Sequence, residues 1–220
     1  MEPELEKFEK FTIKGQKKID EICRAAAKIF YEKGYLSTSL ADVANEIGIT
    51  KGAIFHYFGT KEELLFLILH RYTVNALSEL TRRLNACNSP HDRIFEYIHA
   101  VILTNREYRL ESSLALNEVV HLSERYLSII KNKQRGFVKI LRSLVEDLLD
   151  EKEKKYESVT FITYSLLGMC TWPYRWFDPY GKSSPEDLSL IIYRMFLGEI
   201  RFREAGVDLE AFPKIETGSC

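Results

Sequence analysis

Apolar residues recur at helical spacing along almost the whole chain, and the helix-breaking residues stand where that spacing fails. Ile19, Ile22, Cys23, Ala26, Ile29 and Phe30 fall on one face of a helix that Gly34 can close. Leu40, Val43, Ala44 and Ile47 mark a short second helix, with Ser39 placed to cap it and Gly48 to end it. A third short helix runs from near Thr50 to about Phe58. A fourth opens at Thr60-Lys-Glu-Glu63, a capping-box pattern in which Glu63 reaches back to the cap's amide, and few breakers follow before about Ala86. The loop NSPHD supplies Ser89 as cap and Pro90 at the next first helical position. Further helices are predicted at 91–108, 110–121, 123–150, 153–177 and 185–204, the last with Ser184 and Pro185 at its start. DEKEKKYE reads as a charged corner and FDPYGKSSPED as a loop. No strand-like alternation persists, so the predicted fold class is all-α.

The helices change character along the chain. Short helices with tight turns fill the first sixty residues, and long ones follow. The organisation this predicts is a unit at 1–62, a larger helical unit at 63–206 and a tail at 207–220, with the helix that starts at Thr60 shared by both units. Composition allows such a globular chain, at 45% hydrophobic and 29% charged residues. The formal net charge of −1 excludes a nonspecific coater of nucleic acid, so any such activity rests on a local patch. Cys23, Cys87, Cys170 and Cys220 lie far apart and suit neither a disulfide framework nor a metal knuckle; Cys23 and Cys170 read as buried free thiols. The amino terminus MEPELEKFEKF is acidic and carries no signal peptide, and no apolar run approaches the ~18 residues of a membrane span. A cytoplasmic protein is expected.

The stretch GITKGAIFHYFGTKEEL (48–64) contains a puzzle. Gly52 sits in the first turn of a helix, where it costs about 1 kcal/mol relative to alanine. Lys51, His56, Tyr57 and Lys61 crowd around an apolar pair, Ile54 and Phe58. Two short helices joined at Gly48 read as a helix-turn-helix, whose second helix enters the major groove of DNA. A glycine there lets the backbone approach the duplex. Thr50 and Lys51 point toward base edges and adjacent phosphates, Tyr57 and Lys61 toward phosphates, and Ile54 and Phe58 pack on Ala26, Phe30, Val43 and Ile47. Lys14, Lys17 and Lys18 precede the first apolar pattern and read as solvated.

The segment GYLSTSLADVANEIGITKGAIFHYFGTKEELL (34–65) resembles the DNA-binding signature of the TetR family of bacterial transcriptional repressors. The matching residues are Thr38-Ser39, Val43-Ala44, Gly48, Lys51-Gly52, Phe55-His56-Tyr57-Phe58 and Lys61-Glu62-Glu63-Leu64. The resemblance implies that Thr38, Ser39, Thr50, Lys51, Gly52, Ala53, His56, Tyr57 and Lys61 lie at or near DNA. His56 has packing as its other reading, and Thr38 and Ser39 have helix capping. Phe55 stands where many relatives have tyrosine, so a hydroxyl contact to phosphate is absent there. The resemblance further implies a homodimer on a palindromic operator and a small-molecule effector in the larger domain.

The residues of the larger domain agree with a dimer. SVTFITYSLLGMCTW and LSLIIYRMFLGEI are apolar around most of their circumference, as helices buried on two sides are. Candidate effector contacts are Phe95, Arg106, Asn117, His121, Tyr164, Met169, Trp172, Arg175 and Trp176, with Arg106 or Arg175 available to an acidic group. TWPYRWFDPYG resembles a stretch common in relatives that sense acyl-CoA or fatty acids; its two tryptophans read equally as packing on the following loop. No phosphate-binding glycine loop, dinucleotide fingerprint or metalloprotease motif occurs, and no two histidines stand three or four residues apart. Neither cofactor nor metal is expected, and the reading is a ligand-responsive repressor that releases its operator on binding a hydrophobic effector. The alternatives are a helical small-molecule-binding protein or enzyme with an incidental helix-turn-helix, and a DNA-binding activator.

Overall fold

Caps and left-handed glycines set the ends of the helices. The structure, a computed structural model, describes residues 3–149 and 156–198. Among them are α1 (Pro3–Glu9), α2 (Ile13–Lys33), α3 (Leu40–Glu46), α4 (Lys51–Tyr57), α5 (Lys61–Leu84), α6 (Pro90–Glu107), α7 (Arg109–Asn117), α8 (Glu124–Leu148), α9 (Tyr156–Thr171) and α10 (Pro185–Phe196). Short 3-10 turns at Val119–His121 and Trp172–Arg175 follow α7 and α9. The described residues contain no strand. The charged corner lies mostly outside them, as do residues 199–206 and the 207–220 tail.

Thr12, Ser39, Thr50, Thr60, Ser89 and Ser184 each accept a hydrogen bond from an amide of the first turn they cap. One detail differs from the sequence reading. Glu63 takes the amide of Gly59 at 2.8 Å rather than that of the cap residue Thr60. Its other oxygen pairs with Lys7. The predicted 110–121 and 153–177 helices each end early in a 3-10 turn, at Val119 and at Trp172.

The helix α1 was not foreseen. It lays Phe8 against Phe58 at 5.4 Å between ring centres, and Phe8 is buried. Glu4 of α1 accepts from Arg125 of α8 at 2.8 Å, an ion pair that holds the Glu4 carboxyl below its ordinary range. The seven-residue segment is therefore held by its neighbours; a helix of that length is not stable alone.

Two cores result. The first joins Ile22, Ala26 and Phe30 of α2, Val43 and Ala44 of α3, Ile54 of α4, Phe58 and the start of α5. The second joins Leu80 and Leu84 with Ile94, Tyr97, Leu141, Leu144, Leu166, Cys170 and Ile192. The helix α5 enters both. Burial pushes the thiols of Cys23 and Cys170 up to about 12, so both stay protonated and inert.

Phe8→Ala removes the ring that seats α1, and the expected loss is about 3–5 kcal/mol, as for other buried aromatic truncations. Urea unfolding measures it; an unchanged midpoint would show that α1 contributes nothing to the first core.

Candidate nucleic-acid interface and effector cavity

The turn between α3 and α4 is built for one shape. Gly48 holds φ +66, a left-handed conformation that strains other residues. The amide of Ile49 donates to the Ala44 carbonyl at 3.0 Å across the turn. Ser39 and Asp42 form a reciprocal capping box at the start of α3, and hydrogen bonds from Ser39 hold the Asp42 carboxyl below its ordinary range. Ile54 and Phe58, both fully buried, fix the inner face of α4 to the first core. Its outer face carries Lys51, Gly52, Phe55 and His56, all exposed. Ala53 and Tyr57 are half-buried. The Thr50 hydroxyl accepts from the Ala53 amide at 3.1 Å and keeps its own proton for an outside acceptor.

Gly52 answers the question that its position raises. A Cβ placed on it would meet only the Thr50 hydroxyl, at 3.9 Å. Nothing within the protein needs a glycine here, so its helix cost of about 1 kcal/mol has no internal return. The outer face of α4 at Gly52 is therefore open to close approach by another surface.

Two of the residues aligned with the DNA-binding signature turn inward instead. Thr38 is buried and its hydroxyl donates to the Gly34 carbonyl at 2.8 Å, closing the turn after α2. The ammonium of Lys61 donates to the Tyr35 carbonyl at 2.7 Å and stands 4.3 Å over the Tyr35 ring. Burial holds that ammonium below the ordinary lysine range. The sequence reading made Lys61 a phosphate contact; in the structure its donors serve the chain's own backbone.

Lys61 belongs to a junction between the two units. The Tyr35 ring stacks on His121 at 5.4 Å, and His121 in turn lies 3.2 Å from the Glu118 carboxylate. Glu62 accepts from the Ser123 amide at 2.6 Å. The Val119–His121 turn is thereby clamped against the loop between α2 and α3.

Behind that turn lies a cavity of about 520 Å³, enclosed by α5, α6, α7, α8 and the end of α9. Tyr72, Ala76, Leu80, Tyr97, Leu116 and Val119 form much of its apolar wall. The side-chain amide nitrogen of Asn105 is buried against it without a hydrogen-bond partner. Lys131, Gln134 and Arg135, on consecutive turns of α8, line its rim, with Lys131 and Arg135 exposed. The arrangement offers an apolar interior and a cationic mouth.

None of the nine sequence-derived effector residues borders this cavity. Phe95 packs on His99 and Tyr193, and Met169 on the second core. Arg106 covers the Tyr180 ring at 5.3 Å, and Arg175 the Tyr174 ring at 6.0 Å. Asn117 accepts from the Tyr174 hydroxyl at 3.1 Å, and His121 serves the junction. Tyr164, Trp172 and Trp176 are exposed. The reason is rotational. A helix apolar on every side does not declare which face meets the cavity, and α9 turns Leu167 and Thr171 toward it. The signal that was available is the Lys131-Gln134-Arg135 spacing on an otherwise amphipathic helix.

Two family models match the chain. Residues 22–68 match the family model described as bacterial regulatory proteins, tetR family, and residues 87–200 match that of the tetracyclin repressor-like C-terminal domain. The chain is 24% identical over 193 residues to the HTH-type transcriptional repressor KstR2 of Mycolicibacterium smegmatis, covering 82% of this chain and 89% of that one. It is 35% identical over 81 residues to the HTH-type transcriptional regulator HbdR of Aromatoleum sp. (strain CIB), a match to 37% of this chain and 34% of HbdR. AibR, in a crystal structure with isovaleryl coenzyme A and operator DNA, superposes with a TM-score of 0.72 at 24% identity, over 80% of this chain and 96% of that one.

Gly52→Ala should act in opposite directions on fold and function. Stability rises by up to about 1 kcal/mol in urea unfolding, while duplex affinity falls by more than about 1.4 kcal/mol, tenfold in Kd. Unimpaired binding would mean that nothing approaches Gly52.

The family matches span both the turn-bearing helices and the helices around the cavity, and the chain belongs to the TetR family of bacterial regulatory proteins.

Proposed function

We propose that this regulator works as a homodimeric repressor whose two α4 helices read the halves of a palindromic operator, and that an apolar acid bound in the cavity releases it. The observation that carries the reading is the shared wall. Ala76 of α5 and Val119 of the turn after α7 face the cavity, while the start of α5 and His121 pack against the helix-turn-helix. A ligand that spreads this wall favours one placement of the reading unit, and by linkage DNA and ligand then oppose each other by about 1–3 kcal/mol. Within this reading the contacts to DNA come from Ser39, Thr50, Lys51, Gly52, Ala53, His56 and Tyr57.

The effector class follows from the cavity's chemistry. An apolar body suits its wall, and an anionic head suits Lys131 and Arg135 at the mouth. Fatty acids and acyl thioesters combine these features, and AibR, of the same fold, is described with isovaleryl coenzyme A. We read the chain as a binder and not an enzyme, because the charged groups of the cavity stand in water at its rim rather than against an enclosed substrate.

A dimer suits the outer faces of α9 and α10. Phe161, Tyr164, Leu190, Ile191 and Met195 are exposed in the protomer, while Leu166, Cys170, Leu188 and Ile192 on the opposite faces are buried. A two-fold pair also supplies the two readers that half-sites about 34–36 Å apart demand. Among the described residues no helix is long and apolar enough to cross a membrane, and we place the protein in the cytoplasm with the DNA it reads.

Fatty acids of graded chain length, with the matching alcohols as neutral controls, test the proposal on a complex with the palindromic DNA upstream of the coding sequence. Acids should dissociate the complex and raise the melting temperature of the free protein; alcohols should do so poorly. Replacing both Lys131 and Arg135 by alanine should raise the acid concentration needed by on the order of tenfold or more, the worth of one or two charge-assisted contacts. Equal action of acids and alcohols would contradict the assigned head group.

A further inference from the structure

A second charged feature lies outside the helix-turn-helix. Between the α1–α2 turn and the end of α4 runs an open trench of about 550 Å³. His56 and Tyr57 form one wall, and Lys10, Lys14 and Lys17 stand along the other. Phe11 joins the walls, edge-on to His56 at 5.6 Å and tilted on Tyr57 at 5.2 Å. The turn closes tightly, since a Cβ on Gly15 would come within 2.9 Å of the Phe11 Cβ. Phe8, buried beneath, keeps the whole assembly on the first core.

The charges in the trench are unbalanced. Glu21, the lone carboxylate of its lining, pairs with Lys18 at 2.6 Å. Asp20, the next acid on α2, pairs with Arg71 at 2.6 Å. Lys10, Lys14 and Lys17 are exposed, with no carboxylate of the described residues within ion-pair distance. A chain of net charge −1 has thus gathered three free ammonium groups beside one end of its reading helix.

We infer that this trench is a phosphate-backbone site for the duplex read by α4, which extends the DNA interface beyond the helix-turn-helix. The inference rests on the DNA-binding reading above. Its geometry follows from lengths. The seven residues of α4 span about 10.5 Å, close to the roughly 12 Å width of the major groove. With Lys51 and Gly52 among the bases, the other end of α4 reaches the groove wall, where a phosphodiester strand runs. The structure places the trench at that end. Lysines reaching phosphates there act as point charges, which hold position and carry no sequence information. Lys14 and Lys17, read from sequence as solvated, acquire a role once α1 and Phe11 are seen to bring them beside His56 and Tyr57.

The test uses a duplex that the wild-type protein selects from a randomised pool, titrated across a salt series. For K10A/K14A/K17A the slope of log affinity against log salt should become shallower by about 0.9 for each phosphate left without its lysine. Affinity near 0.15 M salt should fall on the order of tenfold for selected and unrelated duplexes alike, leaving their ratio unchanged. The arginine triple variant should keep the wild-type slope. K139A/K182A, which removes exposed charges from the larger unit, should leave it unaltered. Equal melting temperatures for the variants separate binding from folding. An unchanged slope in the triple alanine variant, or an equal loss in K139A/K182A, would overturn the inference. Failure of the wild-type protein to select any sequence would overturn the DNA-binding reading itself.

Discussion

Residues 64–69 of α5 are buried on every side, and the rest of the molecule is arranged around that fact. Leu64, Leu65, Phe66, Leu67, Ile68 and Leu69 are each at most 3% exposed. No single layer can cover a helix all round; α2 covers one side, and α7 with α8 covers the other, through Leu114, Ala115, Leu122 and Ile130. Each such side chain contributes about 1.5–3 kcal/mol when withdrawn from water. The reading unit therefore does not hang on a free linker. It shares a core with the helices that enclose the cavity, and the two cannot shift independently without opening apolar surface.

Polar contacts give that shared core its direction. Lys61 and Glu62, in the first turn of α5, hold the α2–α3 loop on one side and the Ser123 amide on the other. His121 stacks on Tyr35 at the same place, two residues beyond Val119 in the cavity wall. A short path thus leads from cavity-lining side chains to the loop that carries α3. Close packing makes such a path a choice between discrete arrangements, since a tightly filled core resists graded deformation.

Much of this was legible in the sequence, for identifiable reasons. Capping residues at Ser39, Thr60, Ser89 and Ser184 act locally, so their meaning survives without knowledge of the fold. Ile54 and Phe58 declared the inner face of α4 by spacing alone. The position of Gly52 in a helix posed a question, and the space around it shows that no contact within the protein requires the glycine. Tertiary contacts were less visible. The helix α1 owes its existence to Phe8 and Glu4 meeting distant partners, and Lys61 donates to a carbonyl 26 residues away. The residues named from sequence as effector contacts do not line the cavity, because aromatic content marked α9 and its loop, whereas the cavity's charge comes from the plainer helix α8.

Reciprocal linkage is the most direct test of a core shared between cavity and reading helix. The measurement is the affinity of one effector for the free protein and for the protein saturated with operator, set beside the operator affinity with and without effector. The account predicts that both affinities fall by one common factor, about 5–150-fold. An effector that binds the free and DNA-bound protein equally well would show that cavity and reading helix are energetically separate.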